Sequence, residues 1–282
     1  MRLFNKIIDH SNKTIPDLPN MMKIFMKVMI LLFFLDVLNQ SSFLHPPELL
    51  KDIIRILIMM FVTYILFYLL KKENYDIIDT FKIKLLSKNV FLIIVIISFG
   101  LFVLKLGLAP IIYKLFPSPE LSKSILDDLP QNILDWVLAL ATLVAIGPIF
   151  EEFIFRGLMQ SSVNDEYGLI ASILLPALIF SLIHIFPAAI ISVFISSCLY
   201  GYLVYKTKSI FSSILLHSLN NFISLISNKF FYKEVPANFE VNYFETLPFI
   251  LIGLLILCVG IYYLNKYIIE DKNVLFSSTN GV

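Results

Sequence analysis

Two adjacent glutamates, an arginine four residues on and two distant histidines stand in stretches that are otherwise apolar. Glu151, Glu152 and Arg156 occur in the run Ile149-Phe150-Glu151-Glu152-Phe153-Ile154-Phe155-Arg156-Gly157. His184 lies within 167–205, which contains no Asp, Glu, Lys or Arg, and His217 lies in a further apolar stretch. A charge held in hydrocarbon costs roughly 3 kcal/mol on insertion scales, which makes such residues functional candidates. Glu152 and Arg156 are i and i+4, so on a helix they share a face and pair, while Glu151 points about 100° away. One acid is thereby neutralised and the other left free. His184 has Phe180 at i−4 on its own face, and His217 has Asn221 at i+4 with Asn220 close by.

These groups suit hydrolysis of an amide. A carboxylate must deprotonate water, a histidine or metal must orient that water, and donors must receive the charge that develops on the carbonyl oxygen. Glu151 is the expected base, assisted by His184, with His217 and Asn221 as oxyanion donors. Glu152 and Arg156 are expected to fix the helix that carries the base. In a second arrangement Glu151, His184 and His217 bind a divalent metal such as zinc, whose open fourth position activates the water. The helical His-Glu-x-x-His zinc motif is absent. A plainer reading has the acids and arginine marking the point where a helix leaves the membrane. Against it stand two histidines in separate uncharged spans, whereas His10 and His45 fall in polar flanks.

The same residues resemble a known family, the CAAX-processing and bacteriocin-processing (CPBP, or Abi) intramembrane proteases. Its signatures are Glu-Glu-x-x-x-Arg, Phe-x-x-x-His and His-x-x-x-Asn, in that order on successive transmembrane helices. Here they read Glu151 to Arg156, Phe180 to His184 and His217 to Asn221. The resemblance covers roughly residues 132–227. It implies an endopeptidase whose first glutamate and two histidines are catalytic, by either a metal-dependent or a glutamate-activated-water mechanism. It also implies a membrane-associated peptide or protein substrate, in peptide maturation, bacteriocin immunity or signalling-peptide processing. Two readings from other classes are a small-solute or ion transporter using these groups as a proton relay, and a non-catalytic membrane regulator with a protease-like fold.

The elements that must position these residues follow from composition. Apolar residues make up 58% and aromatics 14% of the 282 residues, and mean hydropathy is +0.84, beyond soluble domains. Lys and Arg number 22 against 21 Asp and Glu, so no basic surface is offered to nucleic acid. Cys198 and Cys258 fall in predicted spans without ligand spacing and read as packing residues.

A spanning helix needs about 20 apolar residues. Eight stretches come near this, at 22–38, 53–71, 89–113, 133–159, 167–186, 188–205, 209–227 and 247–268. The expected fold is all-α, a polytopic membrane protein of about eight helices with an intramembrane polar active site. Three parts are expected: an N-terminal membrane region, 1–131, the catalytic core, 132–227, and an outer loop, final helix and tail, 228–282. Five lysines between 71 and 88 place that connection inside, and the alternation then puts both termini in the cytoplasm. Ile77, Ile78, Phe81 and Leu85 form one face of an expected amphipathic segment in this basic linker, lying on the inner leaflet. Gly147-Pro148 is expected to kink the long fourth span and set Glu151 deep.

Overall fold

The computed structural model describes residues 14–40, 48–127, 129–231 and 240–279, all helices and connections with no strand among them. His10 and His45 lie outside the described residues. The chain opens with α1 (Leu18–Gln40) and α2 (Glu48–Lys72), then a short α3 (Ile77–Phe81) and a long α4 (Lys88–Leu115). After α5 (Pro119–Asp127) comes one extended run: α6 (Ile133–Ala139), α7 (Leu140–Ile146), α8 (Gly147–Glu152), α9 (Phe153–Gln160) and α10 (Ser161–Leu182). The chain ends with α11 (Pro187–Thr207), α12 (Ile210–Phe231) and α13 (Tyr243–Thr279).

Six helices among the described residues are long and apolar enough to cross a membrane, so this is a multi-pass membrane protein. One of the six, Ile133–Leu182, holds one predicted span, 133–159, and most of a second, 167–186, because the chain bends at Gly168. Gly168 takes φ +78°, a left-handed backbone that favours glycine. With α1 as a further helix of 23 residues, the predicted count of about eight is met. Large apolar side chains face outward, among them Phe33, Tyr64 and Leu255, as contact with lipid requires.

The bend falls at Gly168 and not at Pro148, where the helix continues. The basic linker also differs from a continuous amphipathic helix. Asp76 caps α3 by accepting from the Asp79 N–H, and Lys82 ends it after five residues by adopting φ +51°. Phe81 turns inward between Phe67 and Phe153, at 4.9 Å from each ring, while Leu85 stays 82% exposed. The slot exists because residue 157 is glycine: a Cβ there would lie 2.1 Å from the Phe81 ring.

Two apolar cores result. The first joins α1, α2 and α3 to α8, α9 and α10 through Met21, Leu66, Phe81, Ile154, Phe155 and Phe180. The second joins α4, α11, α12 and α13 through Ile97, Leu101, Tyr200, Leu216 and Leu264. Within it α4 and α13 touch backbone to backbone. Gly100 and Gly107 on α4, and Gly253 and Gly260 on α13, each leave no room for a Cβ. One at Gly253 would come within 2.4 Å of the Leu104 backbone nitrogen, and one at Gly107 within 2.6 Å of Ile250. Small residues at such contacts are how membrane helices approach closely without water to drive them together.

Candidate active site

Both glutamates close α8, whose first turn holds Pro148. Ahead of it α7 is wound one residue wide, with the Gly147 N–H reaching back five residues to the Thr142 carbonyl. The same spacing one residue on asks an N–H at position 148 to serve the Leu143 carbonyl, and proline has none. Asn221 of α12 donates there instead, Nδ2 to Leu143 O at 2.8 Å. The helix runs through Pro148 because a neighbouring helix satisfies the carbonyl that the proline frees. A second wide stretch, α9, follows Glu152 directly, and such turns are frequent at functional sites.

Asn221→Ala should therefore destabilise the fold by about 1–3 kcal/mol, the cost of a backbone carbonyl left unpaired in a membrane-spanning helix. Adding Pro148→Ala should restore part of that stability by supplying the missing N–H. Thermal unfolding of the detergent-solubilised variants checks both, and an unchanged midpoint in the single variant would remove this role.

Glu152 is the hub of the cluster. It is fully buried, and its Oε1 accepts from Arg156 Nη1 and from His217 Nδ1, each at 2.9 Å. Arg156 Nη2 donates to both the carbonyl and the hydroxyl of Ser197 on α11. One turn on, Gln160 Nε2 donates to the Gly201 carbonyl at 2.8 Å. Residues 156 and 160 thus meet 197 and 201 rung for rung, i and i+4 on both helices. The rings of Phe180 and Tyr200 flank the guanidinium, with centroids 5.1 and 5.3 Å from its carbon. Both rings also touch His217, Tyr200 stacked at 4.8 Å and Phe180 edge-on at 5.8 Å. Phe180 belongs to the first apolar core and Tyr200 to the second, so the polar cluster sits where the two cores meet.

Glu151 is placed differently from its neighbour. Its side chain remains 32% exposed, and its Oε2 lies 3.6 Å from His217 Nε2, just beyond direct hydrogen bonding. Because Nδ1 donates to Glu152, the neutral ring presents the Nε2 lone pair toward Glu151. A water seated beside that gap has two acceptors within reach, each able to take one of its protons.

His184 is not inside a helix. Pro187 disfavours helical geometry at the residue before it, and the chain obeys: Phe186 is extended and Ile185 takes φ +63°. The helix ends at Leu182, and His184 lies exposed in the turn. Its Nδ1 bonds the Phe180 carbonyl at 3.1 Å, and because a carbonyl only accepts, Nδ1 carries the proton and Nε2 is the acceptor in the neutral ring. No hydrogen bond joins it to Glu151 or His217, but the Phe180 ring contacts both imidazoles, the nearer at 5.1 Å. Among the described residues no three or more His, Cys, Asp or Glu are gathered closely enough to hold a metal ion. Glu151 and His217 face each other as two donors, with Glu152 behind the imidazole as an outer partner. The third expected ligand, His184, is not brought to them.

Ser197, Tyr200, Gln160 and Lys105 were not among the residues expected from sequence. Lys105 carried a readable signal, as the single charge within 89–113. Ser197 and Tyr200, at i and i+3 in the charge-free stretch, carried none until α11 met α9. Tyr200→Leu should lower activity about 10-fold by unstacking His217, whereas Tyr200→Phe, which keeps the ring, should stay within about 3-fold. Parallel cleavage rates of the two variants would show it.

Residues 133–223 match a protein-family model described as type II CAAX prenyl endopeptidase, Rce1-like. This segment is similar to the Rce1-like domains of the CPBP family. No curated protein and no solved structure matches the chain. The Rce1-like domain runs from the first turn of α6 into α12 and includes all three motifs, Pro148, Ser197 and Tyr200. It supports a membrane endopeptidase. Lys105, α4 and the glycine-lined contact with α13 lie outside it.

Proposed function

We propose that this protein is an intramembrane endopeptidase that hydrolyses a peptide bond of a membrane-associated peptide or protein, with Glu151 activating the water. The observation that carries this is the line Glu152, His217, Glu151: a buried carboxylate 2.9 Å from one imidazole nitrogen and a partly open carboxylate 3.6 Å from the other. Glu152 holds His217 in one tautomer and Arg156 holds Glu152. A water between His217 and Glu151 gives a proton to Glu151 as its oxygen attacks the substrate carbonyl. Asn221 has one N–H on Leu143 and a second for the oxyanion. Glu151 then hands that proton to the leaving nitrogen as the C–N bond breaks, and the exposed His184, across Phe180, has its Nε2 free to accept from a substrate N–H. Peptide maturation, bacteriocin immunity and signalling-peptide processing are the settings that the motifs suggest, and the lipid bilayer is the medium of the reaction. Among the described residues two donors face each other and no third joins them, so in this reading the water is held by Glu151 and His217.

The test is cleavage of candidate membrane peptides by purified protein, with products identified by mass spectrometry and with a chelator in parallel. Products that persist in the chelator and disappear in Glu151→Gln are expected. Cleavage lost to the chelator and restored by zinc would replace the water held by Glu151 with a metal-held one. The orientation with both termini in the cytoplasm remains part of the proposal, and cysteine-accessibility labelling at either terminus tests it.

A further inference from the structure

Lys105 is a charge that the proposed chemistry does not use. It stands 18 residues into α4, in a run with no other ionisable side chain before Tyr113. Its Nζ donates to Asn220 Oδ1 at 3.2 Å, and among the described residues no carboxylate pairs with it. An ammonium has three donors, and Asn220 uses one.

The remaining donors face a cavity of about 550 Å³, within the range of ligand sites. Its walls are α4, α5, the start of α11 and the end of α12, through residues such as Ala109, Leu121, Ala188, Val193 and Ser224. Among the described residues Lys105 is its only charged lining residue. The cavity adjoins the catalytic cluster by two routes. Ala188 lies four residues after His184, and Asn220, which holds Lys105, donates to Asn221 at 3.4 Å, which in turn holds Leu143.

An unneutralised ammonium among apolar walls is costly unless an anion is seated against it. We infer that this cavity receives the apolar segment of the substrate on one side of the scissile bond, and that Lys105 is a specificity-determining residue that binds a carboxylate on that segment. The inference rests on the endopeptidase reading above. A lysine suits the task because its donors are directed at a point, which accommodates one carboxylate without demanding the bidentate geometry of arginine.

Four matched peptides test it, each with the same apolar segment. Two differ in a C-terminal acid or amide, and two, both amidated, in a Glu or Gln within the segment. Wild-type protein should cleave one acid-bearing member about 10- to 100-fold better than its neutral partner, the effect of one charge-assisted hydrogen bond. Which pair shows the preference tells whether the carboxylate is terminal or a side chain. Lys105→Met should lose that preference while cleaving the neutral partner at close to the wild-type rate, and Lys105→Arg should keep it. Equal cleavage of acid and neutral peptides by wild type, or a preference that survives in Lys105→Met, would overturn the assignment. If wild type cleaves none of the four, the same peptides carrying a fluorophore separate the two readings. Acid-selective binding lost in Lys105→Met upholds the Lys105 site while the protease reading fails, and unselective binding overturns the site as well.

Discussion

Replacing Glu151 with Gln is expected to reduce cleavage by about 10²- to 10⁴-fold, the range for loss of a positioned general base, with little change in unfolding temperature. The two halves of that expectation come from one contrast. Glu151 keeps a third of its surface open and its nearest ionic partner stands 3.6 Å away, so an amide can replace it without stranding a buried charge. Glutamine cannot accept the proton of an attacking water. Cleavage rates and thermal unfolding of the same preparation check the pair of claims, and retained activity would remove Glu151 from the chemistry.

The opposite profile is expected at Arg156. Arg156→Leu should destabilise the protein by about 3–5 kcal/mol, because it leaves the carboxylate of Glu152 buried without its cation. Arg156→Lys should recover only part of this. The guanidinium serves Glu152 through Nη1 and Ser197 through Nη2 while lying between two rings, and an ammonium has neither the fork nor the planar faces. Pairing Arg156→Leu with Glu152→Gln should be less damaging than Arg156→Leu alone, because both charges are then gone. Thermal unfolding of the three variants in detergent gives the ordering. An Arg156→Leu protein as stable as the parent would contradict the seam between the two cores.

The reading of the sequence succeeded where one unbroken helical run holds the whole interaction, as across the join of α8 and α9. Glu152 and Arg156 are four residues apart, and helical periodicity alone puts them together and turns Glu151 away. The spans were legible because hydrocarbon imposes a length that hydropathy reports. Periodicity was a poorer guide where the backbone departs from it. The wide turn of α7 answers a proline, and its compensation comes from Asn221, which lies 78 residues downstream. The helix ahead of His184 stops early because of Pro187, so an imidazole expected within a span stands in a turn. Ser197, Tyr200 and Gln160 gain their roles only from the meeting of α9 with α11. Nothing in their own neighbourhoods announces it.

The glycines that let α4 and α13 touch have a mechanical consequence. Leu104, against which Gly253 is pressed, is the residue next to Lys105. The wall that holds the lysine is therefore braced from behind by a helix none of whose described side chains lines the cluster or the cavity. The last helix acts as a strut, and its thickness at two glycines sets how far that wall stands from α11 and α12. A methyl group added at Gly253 would move the wall without touching the site, and the discrimination between substrates would shift before the rate of the chemistry did.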